Sequence, residues 1–260
     1  MHHVTCWGQM MAGVAAVEKA GMVLSLFSAA VPQMSVRQIA ERSGLPRSTA
    51  HGICTSLCAV DLLELVEGGG YRLGPALVGL GGQVIDRTGM VAAAEGILDT
   101  LPHRPGLEAH LGQLVGGWIV YLDRAARPPL PAMRNRVGLR APAHVSGCGK
   151  AALSLLAPEE AVARVADVVA QEGLRPVDAA GLRADLTKAK ERGFVINTGF
   201  QRGRRSVAAP ISAAGRVVGG ISLAGPNENF SDGDATRAAD RVRTAAQAVS
   251  EVLTKQPITR

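Results

Sequence analysis

Aromatic side chains are scarce in this 260-residue chain: two Trp, two Tyr and four Phe, 3% of the whole. Its cores must be built from small aliphatic side chains, and a hydrophobic content of 47% supplies them. That is enough for one large domain or two modest ones, each with its own core. Long apolar runs are missing too. None reaches the roughly 18–20 residues of a membrane span. The opening stretch MHHVTCWGQMMAG lacks the basic-then-apolar order of a secretory leader. The expectation is a cytoplasmic protein with no membrane partner. Cys6, Cys54, Cys58 and Cys148 form no CxxC pair and have no histidine at metal-ligand spacing. Reduced thiols are expected, with no metal and no cofactor.

Charge excess is absent where a nucleic-acid partner would favour it. The chain carries a net +6. Residues 1–74, however, balance Lys19, Arg37, Arg42, Arg47 and Arg72 against Glu18, Glu41, Asp61, Glu64 and Glu67. Any nucleic-acid contact there must rely on local placement, not bulk charge. Such a placement exists. Residues 43–57, SGLPRSTAHGICTSL, contain no acidic side chain.

Apolar residues recur at helical spacing over 14–28. Ser35 then stands as a cap before VRQIAERS, whose Val36, Ile39 and Ala40 share one face. Gly44 breaks that helix, and Pro46 falls where a first turn accepts proline. The next helix sets Ala50, Ile53, Cys54 and Leu57 at i, i+3, i+4, i+7, a complete core stripe. Arg47, Ser48, His51, Gly52 and Thr55 must then face outward. Two short helices with a glycine turn are the helix-turn-helix signature. LLELVEGGGYRLG adds a hairpin, Leu62–Val66 and Tyr71–Leu73, which makes a winged helix. Residues 74–100 suggest a linker helix, a joint and a second helix. Beyond LPHRPG, LEAHLGQ and GWIVYLD look like strands, and RPPLPAMRNRVG like an irregular edge. Helices are expected near 149–156, 158–170 and 179–192. Strands follow at Phe194–Asn197, Ser206–Ile211 and Val217–Leu223, before a final helix capped by Ser231 and Asp234. Antiparallel strands with segregated helices indicate an α+β sensor-like domain.

Four segments, SGLPRSTAHGICTSL, YRLGPALVGLG, APAHVSGCGKAAL and RGFVINTGFQRGRRSVAAPISAAGRVVGGISLAGP, give the chain a resemblance to the IclR family of bacterial transcription regulators. It runs from about residue 14 to 254. It implies an α+β chain: a winged helix-turn-helix domain (1–74), a linker helix region (75–101) and a GAF-like effector-binding and oligomerisation domain (102–260). Its antiparallel sheet would be flanked by helices. It also implies a ligand-responsive repressor, a homodimer or homotetramer on double-stranded operator DNA, with a small-molecule effector, often an organic acid. The alternative is a small-molecule-binding interaction module that has weakened or lost DNA binding.

The acid-free helix face then has a partner. Arg47, Ser48, Thr49, His51 and Thr55 can reach phosphates or base edges, and Arg72 near the wing can reach phosphate. At Gly52 the family commonly has arginine. In the larger domain HVSGCGKAAL is no Walker loop, because His144 replaces its first glycine and Ala151 follows the lysine. Cys148 with His144 lacks an orienting acid. No catalytic residue is assigned. Backbone N–H groups of Gly147, Cys148 and Gly149 at a helix start suit a carboxylate. The resemblance carries effector contacts onto Gly147, Cys148, Ser206, Ser222 and Ala224, with Leu130, Met133 and Ala141 as an apolar wall. Ile196 and Gly199 stand where the family has acids, and Arg202, Arg204 and Arg205 follow. Lost carboxylates and added guanidiniums favour an acidic or aromatic-acid effector.

Overall fold

The computed structural model describes residues 13–28, 31–127, 137–198 and 200–255. Leu130, Met133 and Gly199 lie outside the described residues. The chain divides into two compact units, Met1–Gln83 and Val84–Arg260.

The first unit is built from α1 (Ala15–Ser25), β1 (Gln33–Ser35), α2 (Val36–Ser43), α3 (Arg47–Ala59), β2 (Leu63–Val66) and β3 (Gly70–Leu73). Ser35 starts α2 through a capping box. Its Oγ accepts from the Gln38 N–H at 3.3 Å, and Gln38 Oε1 accepts from the Ser35 N–H at 2.9 Å. Gly44, at φ 70°, ends the helix. Pro46 is the N-cap of α3, one residue outside the helix instead of in its first turn. The α3 stripe is buried at Ala50, Cys54 and Leu57 and half-buried at Ile53. It packs on Val23, Phe27, Met34, Ile39, Leu63 and Tyr71. Burial raises the Cys54 thiol to about 11, helped by Cys58, so it behaves as a small hydrophobe. The wing has three antiparallel strands, order β1-β3-β2, not the expected two. Three residues of β1 are too few to show a period of two in sequence. Gly68 and Gly69, at φ 93° and 87°, make the wing turn.

Helix α4 (Ala76–Thr88) carries the chain across the division between the units and has no buried residue. Gly89, at φ 65°, is the joint. The helix after it, α5 (Met90–Ala94), is shorter than expected. Glu95 leaves the helical region and Gly96 turns left-handed, so a 3-10 turn at Leu98–Thr100 replaces its second half.

The second unit holds β4 (Glu108–Val115), β5 (Trp118–Ala126), β6 (Arg140–Pro142), α6 (Gly147–Leu153), α7 (Pro158–Gln171), α8 (Ala179–Arg192), β7 (Val195–Asn197), β8 (Arg204–Ala213), β9 (Arg216–Pro226) and α9 (Asp232–Lys255). Its sheet is antiparallel throughout, order β6-β5-β4-β9-β8-β7. Strand side chains alternate between faces, and the two faces differ in kind. One carries Ala109, Leu111, Val207, Ala209, Ile211, Ile221 and Leu223 in a single core with the buried stripe of α9, Ala235 to Leu253. Ser231 caps α9: its Oγ accepts from the Asp234 N–H at 3.2 Å, and Asp234 Oδ2 accepts from the Ser231 N–H at 3.0 Å. The other face carries Glu108 and His110 of β4, Ser222 and Ala224 of β9, and Arg204 and Ser206 of β8. Short α6 lies against this face. A Cβ at Gly147 would stand 2.6 Å from Ser206 Oγ, and one at Gly220 would stand 2.6 Å from the Cys148 carbonyl oxygen. Glycine is needed at 220, where the obstacle is backbone; at 147 the Ser206 hydroxyl would have to turn away.

Leu223 sits at 1% exposure in the α9 core. Leu223→Ala is expected to cost about 2–5 kcal/mol, read as a lower urea midpoint with the slope unchanged.

Candidate functional site

In the first unit, α3 turns Arg47, Ser48, His51, Gly52 and Thr55 to solvent, with Thr49 half-buried. The hydroxyl of Thr55 donates to the His51 carbonyl at 3.0 Å, so towards an outside partner it offers acceptor lone pairs first. Among the described residues no ion pair involves Arg47. Arg72 differs: on β3 it is exposed and ion-paired with Glu64, its cross-strand neighbour on β2. A phosphate at the wing would have to compete with that carboxylate. A Cβ at Gly52 would meet nothing within 4 Å. The face is open there, and no packing demand accounts for the glycine.

In the second unit, the polar sheet face and the start of α6 bound an open recess with about 30 Å³ of room for water-sized groups. The register explains who meets whom. Glu108 pairs with Ala224 and His110 with Ser222 across β4–β9. Ser206 pairs with Ala224 across β8–β9, and Asn197 with Ser206 across β7–β8. Gly147, Ser206, Ser222 and Ala224 therefore come together around the recess. Cys148 and Ala141 do not line it; both are buried behind the wall with Ile119 and Tyr121. The Cys148 thiol donates to Ser222 Oγ at 3.2 Å and faces the His110 carbonyl oxygen at 3.7 Å. Of the three N–H groups expected to capture an anion, that of Gly149 is taken. It donates to Ser146 Oγ at 2.9 Å, the cap of α6. Helix α6 has only seven residues, and charged side chains gather beside its start.

Those side chains are basic and include residues that spacing alone did not single out. Glu108 is fully buried on β4. It accepts from Arg124 Nε of β5 at 2.9 Å and from Arg204 Nη2 of β8 at 3.0 Å, and His110 Nε2 lies 3.5 Å away. Burial pushes its carboxyl up, but the hydrogen bonds and charges of His110 and Arg124 outweigh that and bring it down to about 2. Arg204 lines the recess, and so does Arg205, whose Nε stands 2.7 Å from Asp232 and whose Nη1 donates to the Phe230 carbonyl at 2.7 Å. Arg202 is exposed. His110, Tyr121 and Phe200 form an aromatic wall, with centroids 5.6 Å and 6.3 Å apart in turn. Asn197, at 3% exposure, completes the lining. Nothing in the pattern EAHLG marks His110 as lining a recess, or Glu108 as the buried partner of its arginine, until the sheet register is known. An acid and a histidine alternating inside an apolar strand were the available signal.

Because the native state holds Glu108 ionised, its stabilisation is complete above the ordinary carboxylate range. It is lost as pH falls through that range towards about 2. Glu108→Gln leaves Arg124 and Arg204 without their carboxylate. It is expected to cost about 3–5 kcal/mol at pH 7 and to flatten the fall in urea midpoint between pH 6 and pH 3. Parallel pH profiles of variant and parent would refute this assignment.

Two family models cover most of the chain: the IclR helix-turn-helix domain over residues 16–67 and the bacterial transcriptional regulator IclR C-terminal domain over residues 82–251. The HTH-type transcriptional regulator XynR of Escherichia coli is 27% identical over 246 residues, 92% of this chain and 97% of that one. The HTH-type transcriptional repressor AllR of Escherichia coli is 26% identical over 250 residues, 93% of this chain and 91% of that one. A solved IclR homologue from Microbacterium hydrocarbonoxydans, in complex with 4-hydroxybenzoate, shares the fold. Its TM-score is 0.75 at 24% identity, covering 93% of this chain and all of that one. With a winged unit and an α+β unit in this order, and both family models matched, the chain belongs to the IclR family of bacterial transcriptional regulators.

Proposed function

We propose that the protein binds operator DNA through α3 and the wing, and that a small carboxylate in the recess controls that binding. The observation that carries the reading is the charge of the recess. Among the described residues its lining has two guanidiniums, Arg204 and Arg205, and no carboxylate; Arg204 is held from behind by buried Glu108, and Arg205 by a mostly exposed Asp232. Guanidiniums in surplus, held by partners that pre-set their planes, suit a carboxylate guest. The aromatic wall suits its apolar part.

The working unit is a dimer. Leu80 and Val84 on α4, four residues apart and so on one helix face, are 53% and 54% exposed. A second copy laid along it would supply a second α3 helix, one for each half of a palindromic operator, whose halves lie about 34 Å or a multiple apart. Ligand binding that shifts the α4 helices then changes this spacing and the DNA affinity. Repression released by ligand is the sign of control we propose; among the relatives, AllR is a repressor by name.

Titration calorimetry against a panel of small carboxylates tests the ligand class. Exclusive binding of neutral or cationic compounds would rule it out. Leu80→Arg on the exposed stripe is expected to convert the dimer to monomer in sedimentation and to weaken operator binding at least tenfold, with the thermal midpoint unchanged. Gly52→Arg restores a cation in open space on α3. It is expected to tighten DNA binding about three- to tenfold and to steepen the salt dependence by about one unit. A gel-shift titration with no change in affinity or sequence preference would dismiss that role for position 52.

A further inference from the structure

The lining of the recess includes one buried acceptor with nothing to accept. The side-chain amide of Asn197 is oriented by its Nδ2, which donates to the Val145 carbonyl at 3.0 Å. Its Oδ1 is buried, yet has no hydrogen-bond partner among the described residues. Leaving a buried acceptor unpaired costs about 1–3 kcal/mol, and it stands in the wall of the recess. A donor arriving with a ligand would recover that loss.

The chemistry of that donor follows from its neighbours. Asn197 sits directly across from Ser206, and Arg204 stands two residues along β8 on the same face, about 7 Å away on a strand. The surrounding charge is positive in surplus, so an ammonium donor is disfavoured and a neutral hydroxyl is favoured. Resting on the carboxylate reading above, we propose that the ligand is a hydroxy acid. Its carboxylate lies towards the arginines and its hydroxyl donates to Asn197 Oδ1. Asn197 is then the residue that separates a hydroxylated acid from the same acid without the hydroxyl. Sites built to hydrogen-bond a hydroxyl reject its deoxy analogue because a buried polar group is left unpaired.

The test is calorimetry on the full chain with three matched pairs: lactate and propionate, 3-hydroxybutyrate and butyrate, 4-hydroxybenzoate and benzoate. The expected result is that in at least one pair the hydroxy acid binds ten times tighter or better. In Asn197→Leu that gap closes while the deoxy acid keeps its affinity, which also shows that the recess is intact. No preference in any pair for the parent protein overturns the inference, with water serving the acceptor instead. That comparison decides even where the variant does not fold. A preference that survives in Asn197→Leu overturns the role of Asn197. If no acid of either series binds, the carboxylate reading itself falls, and this inference with it.

Discussion

A carboxylate taken fully out of water stays ionised only if cations hold it, and Glu108 requires Arg124 and Arg204 to do so. The rest of the second unit is arranged around that requirement. The sheet must turn one face to α9, so Ala109 and Leu111 of β4, Val207, Ala209 and Ile211 of β8, and Ile221 and Leu223 of β9 alternate as aliphatic residues. Glu108, His110, Arg204, Ser206 and Ser222 take the opposite face, where α6 covers part of it and leaves a recess over the remainder. The two guanidiniums come from strands on either side of the β4–β9 pair. Their ion pairs therefore tie β5, β4 and β8 at one end of the sheet. The bonds that make Glu108 tolerable also fix Arg204 in the lining of the recess, so the proposed carboxylate site and the stability of the sheet would share one set of interactions.

The first unit follows a different economy. Its charges balance, so non-specific attraction to DNA is weak at long range, and contact depends on short-range fit. Small residues on the outer face of α3 allow close approach to a groove. The core behind them, Ala50, Cys54 and Leu57 against Met34, Ile39 and Leu63, holds the helix still. Gly52 costs helix stability without a packing reason, since its surroundings are empty.

Much of this was legible in the sequence. The cap at Ser35, the stripe of α3, a joint within 74–100 and the Ser231 cap are local features, decided within a few residues of chain. The third wing strand was not, because β1 is three residues long and exists only by pairing with β3. The site divided in the same way. Gly147, Ser206, Ser222 and Ala224 followed from matching a family pattern. Glu108, His110, Arg124 and Asn197 meet only through long-range register, which no window of sequence displays. The anion-binding role expected of Gly149 failed because Ser146, three residues upstream, had already claimed its N–H.

The central claim is that the recess and the α3 face are energetically linked in one chain. Its most direct measurement is reciprocity. Operator affinity is determined with and without a saturating acid, and acid affinity with and without saturating operator DNA. The account predicts that each ligand changes the other's dissociation constant by the same factor, at least fivefold. An acid that binds tightly in the recess and leaves operator affinity unmoved would contradict it.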